Sequence, residues 1–239
     1  MPEGMVRERL NIYYLLDTSG SMYGARIQQL NTVMQELKPV LEEAAIDNNV
    51  EIIVRAIEFG NDDTAKWHRG EEASGITIDN FTWVNLEAKG YSTPTSMALQ
   101  MVTKALNPEF LGTRALRPVV IMVTDGGCTD GASVYTAACN DLKKKIGGVT
   151  TRIAIGIGDT NKAQLEEFAT VGIVGEDTNR PFAFDAKNAE TLAEVIRWAS
   201  VVSIKSSVNT SIKTDEEATD EDSSENAVEL TDPEWEWLE

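Results

Sequence analysis

Five short apolar runs punctuate the chain, at residues 12–16, 52–57, 119–123, 153–157 and, more weakly, 182–184. Each is of strand length and apolar at consecutive positions, the pattern of strands buried on both faces. Between them the spacing changes to that of helices. Ile27, Leu30, Met34, Leu37, Leu41 and Ala44 recur at steps of three and four, which places them on one helix face, and Pro39 within that run predicts a kink or a break. Further helical stretches are predicted over residues 96–106, 132–145, 162–170 and 189–203, the last with a partly apolar stripe of Leu192, Val195, Ile196 and Ala199. Residues 60–88 read as an edge strand, turns and a short return segment.

Two-sided apolar strands separated by helices predict an α/β fold: a doubly wound, mainly parallel sheet with helices on both faces. One such domain accounts for residues 8–206. The remainder, residues 207–239, reads as an acidic, mostly disordered tail. From Thr214 onward there are 12 Asp and Glu and no Lys or Arg, so the net charge of −18 is concentrated there: the other 27 acids face 21 bases, a net of −6. The first dozen tail residues lack the large apolar groups that offset the entropy of ordering. Val228, Leu230, Trp235, Trp237 and Leu238 then stand among acids, which leaves two readings, tryptophans folded back on the domain or a docking peptide.

No basic stripe exists to neutralise phosphates, so neither nucleic acid nor an anionic membrane is an expected partner. No apolar run of 18 residues is present and the first residues lack a secretory apolar centre, so a soluble, cytoplasmic protein is expected. Cys128 and Cys139 are too few for a disulfide framework and too far apart for a redox pair.

Candidate chemistry collects where a doubly wound sheet puts it, beyond the carboxyl ends of the strands. "YYLLDTSGSMYG" leaves its strand with Asp17, Ser19 and Ser21 at alternate positions, on one side if the chain stays extended. "VVIMVTDGG" delivers Asp125 after an equally apolar strand, and "KGYSTPTSMAL" carries Ser92, Thr93, Thr95 and Ser96 into a helix. Two carboxylates and several hydroxyls with no His or Cys beside them form a hard-oxygen set, suited to Mg2+ or Mn2+ and not to zinc. An octahedral ion held by so few protein charges keeps waters or an open position, which an outside carboxylate can take.

"DTSGS" after an apolar strand, a threonine before a helix and a later strand ending in Asp-Gly resemble the metal-ion-dependent adhesion site of von Willebrand factor type A domains. The resemblance matches Asp17, Ser19 and Ser21 to that family's Asp-x-Ser-x-Ser, Asp125 to its later aspartate and Thr93 to its threonine. Where the family usually has Gly-Gly-Thr this chain has "GYST", so Ser92 or Thr95 stand as alternatives to Thr93. "IAIGIGDTNKAQLEEFAT" and "FAFDAKNAETLAEVIRWASVVSIKSS" are similar to the closing segments of bacterial members, the second to the TerY-like subgroup of tellurium-resistance proteins. The resemblance implies a Rossmann-like fold and a protein-binding module, not an enzyme, whose metal is completed by an Asp or Glu of the partner. For the TerY-like subgroup it further implies association with a protein kinase and a protein phosphatase in a stress-response or defence system.

The competing enzyme class is a Mg-dependent phosphohydrolase. An aspartyl-nucleophile phosphatase needs a second acid two residues after the first, where this chain has Ser19, and neither serine has an evident general base. His68, the one histidine, lies in the edge region, and no phosphate-binding loop or nucleophile elbow is present. Asp130 and Asp159 are read as caps of the helices that follow them.

Overall fold

The fold is described from a computed structural model for residues 7–70, 74–158, 160–174, 177–216 and 229–230. Its centre is β1 (Glu8–Asp17), in which every residue from Leu10 to Asp17 is buried. β1 pairs in parallel with β2 (Val50–Phe59) on one side and β5 (Val119–Thr124) on the other. The parallel run continues through β6 (Thr151–Ile157) to β9 (Ala183–Ala186). At the other edge β3 (Ala65–Trp67) and β4 (Ile76–Thr77) pair antiparallel with β2, the edge strand and return that residues 60–88 suggested.

Helices cover both faces, and two adjacent tyrosines mark which. Successive strand residues point to opposite sides. Tyr13 donates to the carbonyl of Ala105 at the end of α2 (Thr95–Ala105), whereas Tyr14 meets Ser200 Oγ at 2.8 Å in α6 (Ala189–Glu216). α1 (Ala25–Asp47) packs with α6, and α2 packs with α4 (Ala132–Lys144), so the doubly wound arrangement follows directly. All six predicted α1 core positions are buried. α1 is not split at Pro39, which is exposed, so the carbonyl it leaves unbonded stands on the solvent side.

Four features differ from the sequence reading. A short α3 (Pro108–Leu111) follows α2, capped by Asn107, whose side chain accepts from Glu109 N. After α5 (Lys162–Phe168) the chain forms an antiparallel hairpin of β7 (Val171–Val174) and β8 (Asp177–Pro181). α6 does not stop at residue 203 but continues to Glu216, and Ser207, buried, donates to the carbonyl of Arg117. Glu229 and Leu230 form β10, parallel to β7, inside the region expected to be mostly disordered. The rest of that expectation, including Trp235 and Trp237, lies outside the described residues. Among the described residues no helix is long and apolar enough to cross a membrane.

Candidate metal centre

β1 delivers Asp17 at the carboxyl edge of the sheet, level with Phe59 of β2. Its carboxylate is fully buried and doubly held: Oδ1 accepts from the amide of Ser19 at 2.8 Å and Oδ2 from the hydroxyl of Thr124, the last residue of β5, at 2.6 Å. Burial pushes this carboxyl above the usual range, the hydrogen bonds from Ser19 and Thr124 oppose the rise, and the charge of Asp125 adds to it. Beyond Ser19 the chain turns in one 3-10 turn, Gly20–Met22, which brings Ser21 back beside Ser19. Their hydroxyl oxygens stand 3.0 Å apart.

The turn is locked by contact of backbone with backbone. Gly60 has φ +120°, and a Cβ there would lie 2.4 Å from Ser19 N and 2.8 Å from Ser19 Cα. Gly90 has φ +102°, and its Cβ would lie 2.1 Å from the carbonyl oxygen of Gly60, while a Cβ on Gly20 would lie 2.6 Å from that of Gly90. Three loops therefore converge on Ser19 at a distance only glycine permits.

Asp125 follows β5 with its side chain buried, and Ser21 Oγ donates to its Oδ1 at 2.7 Å. Its Oδ2 accepts from Arg26 Nη1 at 2.5 Å, and the same nitrogen donates to the carbonyl of Ser21 at 3.2 Å. Arg26 was not singled out from the sequence. A signal existed: it sits in the first turn of α1, where the helix dipole disfavours a cation, so it calls for an anionic neighbour.

In the third loop the hydrogen bonds separate the hydroxyls. Ser92 is half-buried and engaged elsewhere, its amide and hydroxyl both donating to Asp63 Oδ1, at 3.0 and 2.7 Å. The Ser92 hydroxyl is the main reason the Asp63 carboxyl lies below the usual range. Thr95 is buried with its hydroxyl on the carbonyl of Thr93. Thr93 is held through its amide, which donates to Thr129 Oγ1 at 2.8 Å, and its carbonyl, which accepts from Thr129 N. Its hydroxyl has no hydrogen bond among the described residues. The loop is pinned further by Asp130, whose Oδ2 accepts from Ser96 N at 2.9 Å. Asp130 thus caps α2 and not α4, whose N-cap Gly131 offers no side chain, because the β5–α4 loop lies against the start of α2. The cap of α5 is Asn161, and Asp159 lies outside the described residues.

The donor set fits a hard divalent ion. Neighbouring ligands of an octahedral ion with bonds of about 2.1 Å stand roughly 3.0 Å apart, the separation of the two serine oxygens. Among the described residues no three His, Cys, Asp or Glu cluster as a softer or more acidic site would require. His68 is buried elsewhere, stacked on Trp83 with ring centroids 4.4 Å apart and Nδ1 3.7 Å from Glu58.

Comparison with known proteins agrees with this fold. The family model described as von Willebrand factor type A domain matches residues 11–198. Inter alpha-trypsin inhibitor heavy chain 4 of Mus musculus is 25% identical over 179 residues, covering 70% of this chain and 18% of its own length. The chain thus spans under a fifth of that relative. Among solved structures, a von Willebrand factor type A protein from Catenulispora acidiphila is similar with a TM-score of 0.59 at 16% identity, covering 83% of this chain and 43% of that one. Proximal thread matrix protein 1 from the mussel byssus, with a zinc-occupied MIDAS motif, gives a TM-score of 0.54 at 16% identity, covering 83% and 46%.

Proposed function

Since the chain belongs to the von Willebrand factor type A family, we propose that it is a non-enzymatic, metal-dependent protein-binding module. Asp17, Ser19, Ser21, Thr93 and Asp125 hold Mg2+ or Mn2+, and a partner protein supplies an Asp or Glu carboxylate to the remaining position. One observation carries this reading: two strand ends and a 3-10 turn bring two buried carboxylates and two serine hydroxyls into contact, beside a loop in which Thr93 has an uncommitted hydroxyl. The metal supplies a positively charged centre for the partner's carboxylate. The chain supplies the rest: Thr124 and the amide of Ser19 orient Asp17, the glycine contacts hold the serines, and Thr129 holds Thr93.

The hydroxyls have no histidine beside them. Ser21 donates to a carboxylate already paired with Arg26, and His68 stands in a different part of the fold, which supports ligands over nucleophiles. The finer reading is a TerY-like scaffold in a tellurium-resistance-like stress or defence system, joined to a protein kinase and a protein phosphatase in the cytoplasm. Its support is the likeness of the closing segments noted above, together with two free thiols suited to a reducing compartment. Affinity purification of the tagged full chain with Mg2+ and with EDTA tests it. A kinase and a phosphatase retained only with metal are expected, and retention unaffected by EDTA refutes metal-dependent binding.

A further inference from the structure

Arg26 lies in the metal centre without being one of its oxygen donors. Its guanidinium is lodged between three segments. Nη1 bonds Asp125 Oδ2 and the carbonyl of Ser21, and Nη2 sits so close to the loop after β6 that a Cβ on Gly158 would lie 2.8 Å from it. The side chain is 39% exposed, yet these contacts distinguish it from a freely moving surface cation.

Its position decides the charge of the centre. Asp17 and Asp125 together carry two negative charges, which a divalent ion cancels. With Arg26 included the loaded site is left with a charge of +1. A neutral site attracts an outside carboxylate only through the short-range field of the bound ion. A cationic one adds a net attraction for the anion. Arg26 takes Asp125 Oδ2 while Oδ1 accepts from Ser21, so a bound ion would find Oδ1, and not the oxygen paired with Arg26, beside the serine hydroxyls.

We propose that Arg26 sets this charge: paired with Asp125, it weakens the hold of the site on its own metal and makes the loaded site select an anionic outer ligand. This rests on the metal-binding reading above. It predicts two effects of opposite sign from one substitution, which loss of a scaffold contact does not produce.

The test is titration of the full chain with Mg2+ by calorimetry, followed by titration of the Mn2+-loaded protein with N-acetyl-glutamate amide, read by water-proton relaxation. Arg26→Gln and Arg26→Met, which keep much of the aliphatic stem, are expected to bind Mg2+ on the order of ten-fold more tightly and the carboxylate probe on the order of ten-fold more weakly. Arg26→Lys, which keeps the charge, restores most of both. Weaker Mg2+ binding in the neutral variants would make Arg26 a scaffold for Asp125 and overturn the proposal, as would unchanged affinities. If the wild type itself fails to bind Mg2+, the metal reading fails and this inference with it; if the wild type binds and the variants match it, only the inference fails.

Discussion

Gly60→Ala adds a single methyl group at a place where the fold leaves no room for one. The new Cβ would lie 2.4 Å from Ser19 N, 2.8 Å from Ser19 Cα and 2.9 Å from the carbonyl carbon of Thr18. All three are backbone atoms of the loop that positions the serines, so no flexible side chain can yield. The φ of +120° is itself unfavourable for any residue with a Cβ, at a cost of about 1–2 kcal/mol. Overpacking against fixed atoms adds about 1–3 kcal/mol. The sum, roughly 2–5 kcal/mol, corresponds to a fall in melting temperature of about 5–15 °C for a domain of this size. Restoring ordinary contact also moves the Ser19 amide off Asp17 Oδ1 by about an ångström, so Mg2+ binding should fall more than stability. Gly126→Ala is the internal control: it lies in the same site, yet a Cβ there meets nothing within 4 Å. Thermal unfolding and Mg2+ calorimetry of both variants provide the assay. Gly60→Ala with the melting temperature and Mg2+ affinity of the wild type would refute the claim that the three-glycine contact holds the site.

Three further outcomes follow from other parts of the structure. Arg55 is buried, donates to Asn11 Oδ1 at 2.7 Å and to the carbonyls of Ser74 and Phe110, and lies over the Tyr13 ring. Arg55→Ala strands these acceptors and should cost about 2–3 kcal/mol in urea unfolding; a cost below about 1 kcal/mol would show that water replaces the guanidinium. Burial pushes the Cys139 thiol up to about 11, whereas Cys128 is half-buried, so one thiol per chain should react with Ellman's reagent at pH 8 and the second only on denaturation. Two fast-reacting thiols would contradict the packing of α4. Residues 229–230 are held on β7, and Thr170, just before β7, bonds Arg152 near the start of β6, the end of the sheet opposite the site. A chain cut after Glu216 should therefore bind a carboxylate probe as the full chain does; a several-fold rise would mean that the acidic tail reaches its own site.

The fold was legible because its core strands are apolar on both faces and its helices carry clear stripes. The β7–β8 hairpin was not, since "DTNRP" has neither alternation nor β-branched density. The extension of α6 beyond residue 203 is only thinly marked: Ile204, Val208 and Ile212 keep the four-residue step among polar residues, while Ser203 and Ser207 are buried by hydrogen bonds that periodicity does not register. In the site, the acids and serines were legible from their place at strand ends. Which hydroxyl of "GYST" is uncommitted depended on Asp63, some thirty residues away, and Gly60 and Gly90 gained meaning only when three loops met. Arg26 carried a visible signal, a cation at a helix start, but its partner Asp125 lies 99 residues on.

Asp17, Ser19, Ser21, Thr93 and Asp125 are expected to act together as a divalent-metal site. Ligand binding to the folded state alone stabilises it, by about 2.7 kcal/mol at a concentration one hundred times the dissociation constant, or roughly 5–10 °C in this size range. Melting temperature measured in EDTA and then in rising Mg2+ or Mn2+, for wild type and for Asp17→Ala and Thr93→Ala, tests it most directly. A rise is expected for the wild type, none for Asp17→Ala and a reduced one for Thr93→Ala. A wild type indifferent to both metals, or an Asp17→Ala variant that responds equally, would contradict it.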